Sequence, residues 1–340
     1  LDVNQKFKIL RSIALREWES GNKKLSMDVA REALEIIPNA NFAKWIAFRL
    51  YDIGFLNKPI ALLDKYKSVL TLSPREKVRY SDIIEHKNIL NKLPSVPDTV
   101  NPSKSSNRKV LLYVTASCLP YHTSGYTTRT HELLLALKAS GKTFVILTRP
   151  GYPYDRKDSL GSPCNDITKY DGLDYHHIQT PSSKIKLSSY FNEAASKIER
   201  FAESHQVNSV HAASNYVNAL PALLAARNLG LNFNYEIRGL WDMTRATKVE
   251  GYENSERYNV GMSLEYLVAR RADRVLCISK SLRTHLVNNN VIKSNIALLP
   301  NCVNESTFKK IRDSNIIKHH EFTIGYAGTL NEYEGLDVLV

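Results

Sequence analysis

"KVLLYVTASCLPYHTSGYTTRTHELLLALKASGKTFVILT", residues Lys109–Thr148, decides the fold. It opens with "KVLLYVT", a short apolar run of the kind that forms a strand buried on both faces. It closes with a second such run, "KTFVILT". Between them "TTRTHELLLALKAS" sets Leu133, Leu134 and Leu137 on one helical face, and Gly141 supplies the stop. The order strand, helix, strand is the start of a parallel sheet. Within it, "SGYTTRT" reads either as a plain turn into the helix or as a ligand-holding loop.

The same grammar continues downstream. Strands are predicted at "LDYHHIQ", "VNSVHAA", "NFNYEIR", "DRVLCIS" and "NIALLP". Helices are predicted at "YFNEAASKIERFAESH", "NALPALLAARNLG", "YNVGMSLEYLVARRA" and "KSLRTHLVNN". This alternation makes residues 109–305 a doubly wound, Rossmann-like parallel sheet of the α/β class. Residues 1–93 read as all helix. "MDVAREALEIIP" carries an apolar face that Pro38 closes, and "PIALLDKYKSVLTLSP" ends at Pro74, 36 residues later. That interval suggests a tetratricopeptide-like helical array, and a plain helical bundle fits as well. Residues 94–108, "PSVPDTVNPSKSSNR", form a linker. Residues 306–320 form a second, polar linker. At Glu321 the strand "EFTIGYAG" opens what reads as a second Rossmann-like domain, cut short. The chain starts with Leu and ends in "YEGLDVLV", so it reads as a piece of a longer protein.

The formal net charge of +12 favours anionic partners: nucleotide phosphates, nucleic acid or an acidic membrane face. No apolar run approaches the length of a bilayer span. Cys118, Cys164, Cys277 and Cys302 form no C-x-x-C pair, which fits reduced thiols in a cytosolic protein. The dinucleotide fingerprint, the P-loop, D-x-D, H-E-x-x-H and G-x-S-x-G are all absent, nothing calls for a metal or cofactor, and no nucleic-acid module with interleaved aromatics is present, so nucleic acid is not expected as a partner.

Ligands of open parallel sheets bind at the carboxyl ends of the strands. After the first strand, Gly125 lets a ligand approach the backbone, Thr127 and Thr128 are placed to cap the helix, and Arg129 offers a forked donor for phosphate. His211 ends "VNSVHAA" and is followed by Ser214 and Asn215; a lone strand-end histidine is as readily structural. After "NFNYEIR", the long polar stretch "RGLWDMTRATKVEGYENSERY" groups Arg238, Trp241, Asp242 and Arg245. Its bland alternative is an exposed loop anchored by Trp241. Ser279 reads as a helix cap. Gly328 and Thr329 follow "TIGYAG" as a small turn able to receive a phosphate.

Taken in order, "SGYTTRT", "YEIRGLWD", "RADRVLCISKSL", "PNCVN" and "TIGYAGTLNEYEGLD" resemble the family-4 glycosyltransferases of the two-Rossmann (GT-B) fold, above all the bacterial exopolysaccharide and cell-surface glycan type. The resemblance runs from Lys109 to the end. It implies retaining, metal-independent transfer of a sugar from a nucleotide-sugar donor to a glycan or lipid-linked acceptor, at the inner face of the cytoplasmic membrane. It puts Gly125, Thr128, Arg129, Gly328 and Thr329 at the donor phosphates. Ser214, Asn215, Arg238, Trp241 and Arg245 fall on the acceptor side, and Asp242 and His211 are the candidate catalytic groups. The family's E-x7-E pair would lie beyond Val340, so the chain as given is expected not to turn over. Three further departures are Ala213 in place of a second strand-end histidine, Cys302 and Asn304 within "PNCVN", and neither Arg nor Lys at Thr329 and Glu334. The alternatives are a sugar-nucleotide epimerase recruiting His211 and Asp242, or a non-catalytic scaffold whose helices dock a protein partner. Replacing Arg129 with Ala is expected to weaken catalysis with little loss of fold.

Overall fold

A computed structural model describes residues 1–93, 96, 109–156, 165–303, 309, 324–328 and 335–339. The apolar runs become strands β1 (Val110–Thr115), β2 (Thr143–Thr148), β4 (Leu173–His176), β5 (Ser209–Ala213), β6 (Asn232–Ile237), β7 (Arg274–Cys277) and β8 (Ile296–Leu298). They pair in parallel in the order β4-β2-β1-β5-β6-β7-β8. A further strand, β3 (Ile167–Tyr170), pairs antiparallel on the outer edge of β4. The chain winds outward from β1 through β2 to β4, then crosses back to β5 on β1's other side. The switch point of this doubly wound sheet therefore lies between β1 and β5.

Alternation along the strands sorts the core. Leu112, Val114, Val210, Ala212, Phe233, Tyr235 and Ile237 face one way. They pack with helices α7 (Leu187–Ser204), α8 (Tyr216–Asn228) and α10 (Glu256–Arg271). Tyr113, Ile146, Tyr175 and Ala213 face the other way and pack against Leu134 of α6 (Gly125–Ala139). Each of the fully buried Val, Leu, Ile and Phe side chains among them contributes about 1.5–3 kcal/mol.

Helix α6 begins earlier than its apolar face. Ser124 is the N-cap: its Oγ accepts from Thr127 N–H at 3.4 Å, while Thr127 Oγ1 accepts from Ser124 N–H at 2.9 Å. That reciprocal box makes Gly125, not Thr127, the first helical residue, and Thr128 has no capping role.

The first 93 residues form α1 (Val3–Glu19), α2 (Lys23–Ile36), α3 (Ala40–Asp52), α4 (Asn57–Lys65) and α5 (Pro74–Lys92). Phe7, Ala14, Ala30, Ala33, Phe42 and Ile46 fill one core. Ala47, Phe48, Leu56, Leu63 and Ile83 fill a second, which also takes Val260 of α10. Pro74 opens α5 rather than closing α4. It stands at the first helical position behind a Ser73–Glu76 capping box, where a missing N–H costs nothing. Ile89 of α5 is buried in the core of the sheet, and Glu85 accepts from Ser188 N–H of α7 at 3.0 Å.

Residues Leu1–Leu299 are accordingly one unit, helices and sheet together, and Pro300–Val340 are another. In the second unit the described residues include a short helix, Leu336–Leu339. Ile324–Gly328 of the predicted strand are exposed and not in a strand; Glu321–Thr323 lie outside the described residues.

Candidate functional site

The carboxyl ends of β1, β5 and β6 carry a cluster centred on a residue the motifs did not single out. Glu236, near the end of β6, is fully buried. Its Oε1 accepts from Arg129 Nε at 3.1 Å and from Arg238 Nε at 2.9 Å. Its Oε2 accepts from Tyr113 Oη at 2.8 Å and Arg238 Nη2 at 3.1 Å, and lies 3.2 Å from His211 Nε2. Burial alone would raise this carboxyl, but the His211 hydrogen bond and the Arg238 charge hold it well below the ordinary carboxylate range.

Arg238 is equally committed. Burial opposes its charge, yet Tyr113 and Glu236 together raise its pKa. Nη1 donates to Tyr126 O at 2.8 Å and Thr130 Oγ1 at 2.7 Å, and the guanidinium sits 4.5 Å from the Tyr126 ring centre. Arg129 reaches from α6 towards the β8 edge of the sheet, where Nη2 donates to Leu299 O at 2.7 Å. His211 stacks on Tyr113 with ring centroids 4.6 Å apart. So Arg129, Arg238 and His211, expected to face a ligand, converge on an internal carboxylate. Two guanidinium groups, those of Arg129 and Arg238, thus share one carboxylate under the sheet edge.

Above that cluster, Gly125 and Thr128 are exposed on the first turn of α6. A Cβ placed on Gly125 would meet nothing within 4 Å. Thr127 N–H donates to Ser124 Oγ and Thr128 N–H to Ser124 O at 3.0 Å, so the helix's first two amides, of Gly125 and Tyr126, are those without an acceptor among the described residues. Ser214 is buried, and its Oγ accepts from Arg238 N–H at 3.2 Å. Asn215 is the N-cap of α8, accepting from Val217 N–H at 3.1 Å.

The polar stretch after β6 contains a short helix, α9 (Trp241–Ala246), and a 3-10 turn, Tyr252–Asn254. Trp241 is 57% exposed. Asp242 is half-buried, accepts from Tyr252 Oη at 2.8 Å, and lies against Gly261 of α10 so closely that a Cβ there has no room. Burial pushes the Asp242 carboxyl up, against the pull of Tyr252, Arg257 and Arg245. Arg245 turns away from the sheet edge: Nη2 donates to Asp52 O of α3 at 3.2 Å, and the guanidinium lies 4.7 Å from the Tyr252 ring centre.

His211 and Asp242 thus have separate partners, and among the described residues no hydrogen bond or ion pair joins them. In the second unit, Gly328 is exposed, with its own Tyr326 ring beside its Cα; Thr329 lies outside the described residues. Among the described residues no three His, Cys, Asp or Glu side chains group to hold a metal ion, and no helix is long and apolar enough to cross a membrane. Glu236 did have a sequence signal. A charged residue inside a strand of a parallel sheet is buried on either face, so it needs a partner, and Arg238 two residues on shares its face.

The profile of the glycosyl transferase 4-like domain matches residues 124–302, more than half of the chain, and the chain belongs to that family. No curated protein matches it. Similar solved structures include a sucrose-phosphate synthase from Thermosynechococcus elongatus, at 14% identity over 58% of this chain and 49% of that one, with a TM-score of 0.44. Others are a UDP-N-acetylglucosamine 2-epimerase from Rickettsia bellii (10%, 62% and 50%, TM-score 0.40) and a glycosyltransferase from Rickettsia africae (19%, 62% and 47%, TM-score 0.39). The chain spans about half the length of these three.

Proposed function

With that membership as premise, we propose that the chain is the acceptor-side part of a retaining glycosyltransferase of the GT-B fold. It moves a sugar from a nucleotide-sugar donor to a glycan or lipid-linked acceptor of the bacterial surface. One observation carries the reading: an exposed helix N-terminus at Gly125, with the Thr128 side chain exposed beside it, next to a buried carboxylate that two arginines share. When the glycosidic C–O bond breaks, the departing nucleoside diphosphate gains charge. Outward amides at a helix N-terminus, with guanidinium groups nearby, stabilise it without a metal.

Arg129, Arg238 and His211 act from behind, through the field and by fixing the first turn of α6. Ser214 and Asn215 shape the switch point. Asp242, with its carboxyl raised and half-exposed, is the group that takes the proton of the incoming acceptor hydroxyl. Trp241 offers its exposed face to the acceptor. Gly328 and Thr329 belong to the donor side. The charge of +12 supports peripheral residence on an anionic inner membrane surface, with the helical segment free to meet a protein partner.

The test is a titration of the natural full-length protein with UDP- and GDP-sugars. Binding or slow hydrolysis at millimolar donor, unchanged by EDTA, is expected. If no donor is bound or hydrolysed, the transferase reading is abandoned. Conversion of the donor sugar to its epimer without an acceptor would instead establish the epimerase.

A further inference from the structure

Residues 239–255, between β6 and α10, carry Trp241 and Asp242 yet have almost no core of their own. No residue of α9 is buried. A stretch of this kind holds one conformation only if something outside it imposes one. Here the outside support comes from the corner between α3 and α4.

Four hydrogen bonds make that support, one to the segment itself through Arg245 and three to Glu256 and Arg257 in the first turn of α10, where the segment ends. Arg245 Nη2 donates to Asp52 O at 3.2 Å. Arg257 N–H donates to Gly54 O at 3.1 Å. The Glu256 carboxylate accepts from Leu56 N–H at 3.1 Å and Asn57 Nδ2 at 3.0 Å. Gly54 itself, at φ 103°, lies flat against the buried Tyr252: a Cβ there would come 2.7 Å from the Tyr252 ring and would collide with Ser255 Oγ. Tyr252 then donates to Asp242. One line of contacts therefore runs from the N-terminal helices through a tyrosine to the carboxylate on the acceptor side.

We propose that the N-terminal helices are a built-in brace for the acceptor-side segment, with Gly54 as the positioning residue that fixes Asp242 through Tyr252 and Glu256 as the one that anchors the segment's end at the start of α10. The mechanical part needs no assumption about the reaction; the catalytic part rests on the acceptor-side reading above. A merely stabilising corner would raise or lower the stability of the whole unit. A brace controls 239–255 alone.

The experiment uses the full-length protein with Gly54→Ala and, in case that variant does not fold, Glu256→Ala. Hydrogen exchange is followed by mass spectrometry. Amides of 239–255 are expected to exchange roughly tenfold faster, those of β1 and β5 at the parent rate, and Glu256→Gln, which keeps one acceptor, to recover part of the protection. Binding of UDP as probe stays at the parent value while transfer to acceptor falls with a raised acceptor KM. Unchanged exchange in 239–255, or a rise shared equally by the sheet, overturns the brace. A failed donor titration removes the transferase reading and leaves the exchange result standing.

Discussion

Tyr235 and Glu236 are neighbours on β6 and look in opposite directions, and each ends at a buried glutamate carboxylate. On the α6 side, Glu236 itself sits among Arg129, Arg238, His211 and Tyr113. On the other side, Tyr235 donates to Glu265 of α10, whose other oxygen accepts only from Tyr216 N–H at 3.0 Å among the bonds described. Burial raises both carboxyls. The His211 hydrogen bond and the Arg238 charge more than reverse this for Glu236, whereas hydrogen bonds without a nearby cation do not for Glu265, which is pushed up to about 7. Burial therefore sets the cost of a charge, and the neighbours decide whether the charge stays.

The contrast is broken most directly at Glu236. Glu236→Gln leaves two buried arginines facing a neutral amide and should cost about 3–5 kcal/mol in urea unfolding. A loss under about 1 kcal/mol would mean the cluster is wetter than described. Glu265→Gln should lie close to the parent below about pH 4.5, where the carboxyl is protonated in the folded and unfolded chain alike.

Next in size is pH. Glu265 is raised in the folded state, so its contribution is complete below about 4.5 and is lost as pH rises towards about 7, an effect of about 3 kcal/mol. Glu236 is lowered, so its contribution is present above 4.5 and lost as pH falls through its folded value. Melting temperature against pH should fall at both ends, and Glu265→Gln should flatten only the neutral limb.

Arg129→Ala follows. From the motif alone it is a surface change in a cleft, with little loss of fold. Its place between Glu236 and Leu299 O alters that expectation to a loss of about 1.5–3 kcal/mol, read from the same urea midpoints. The smallest change in stability should come from Trp241→Ala. The side chain is 57% exposed, so folding should shift by less than about 0.5 kcal/mol while the acceptor KM of the full-length enzyme rises.

The strands were legible because each is a short apolar run between turn residues, and β1, β2 and β4 to β8 all form where those runs lie. β3 escaped because "ITKY" is exposed on the sheet's edge and has no apolar alternation. α9 escaped because "WDMTRA" buries nothing. The site was legible as a place, the carboxyl edge, but its wiring was not. Motif reading gives each arginine an outside ligand; it cannot see that Arg129, Arg238 and His211 come from three separate elements and share one carboxylate 107, 2 and 25 residues away.

The brace also sets a schedule for biosynthesis. Leu56 and Glu256 are 200 residues apart, and Val260 and the α7 residues that shelter Ile89 are also made long after their partners. At about 5–20 residues per second, the N-terminal helices wait roughly 10–40 seconds on the ribosome with that apolar flank uncovered. In that interval the flank has no partner from the sheet, and a chaperone that covered it would stand in for residues not yet made.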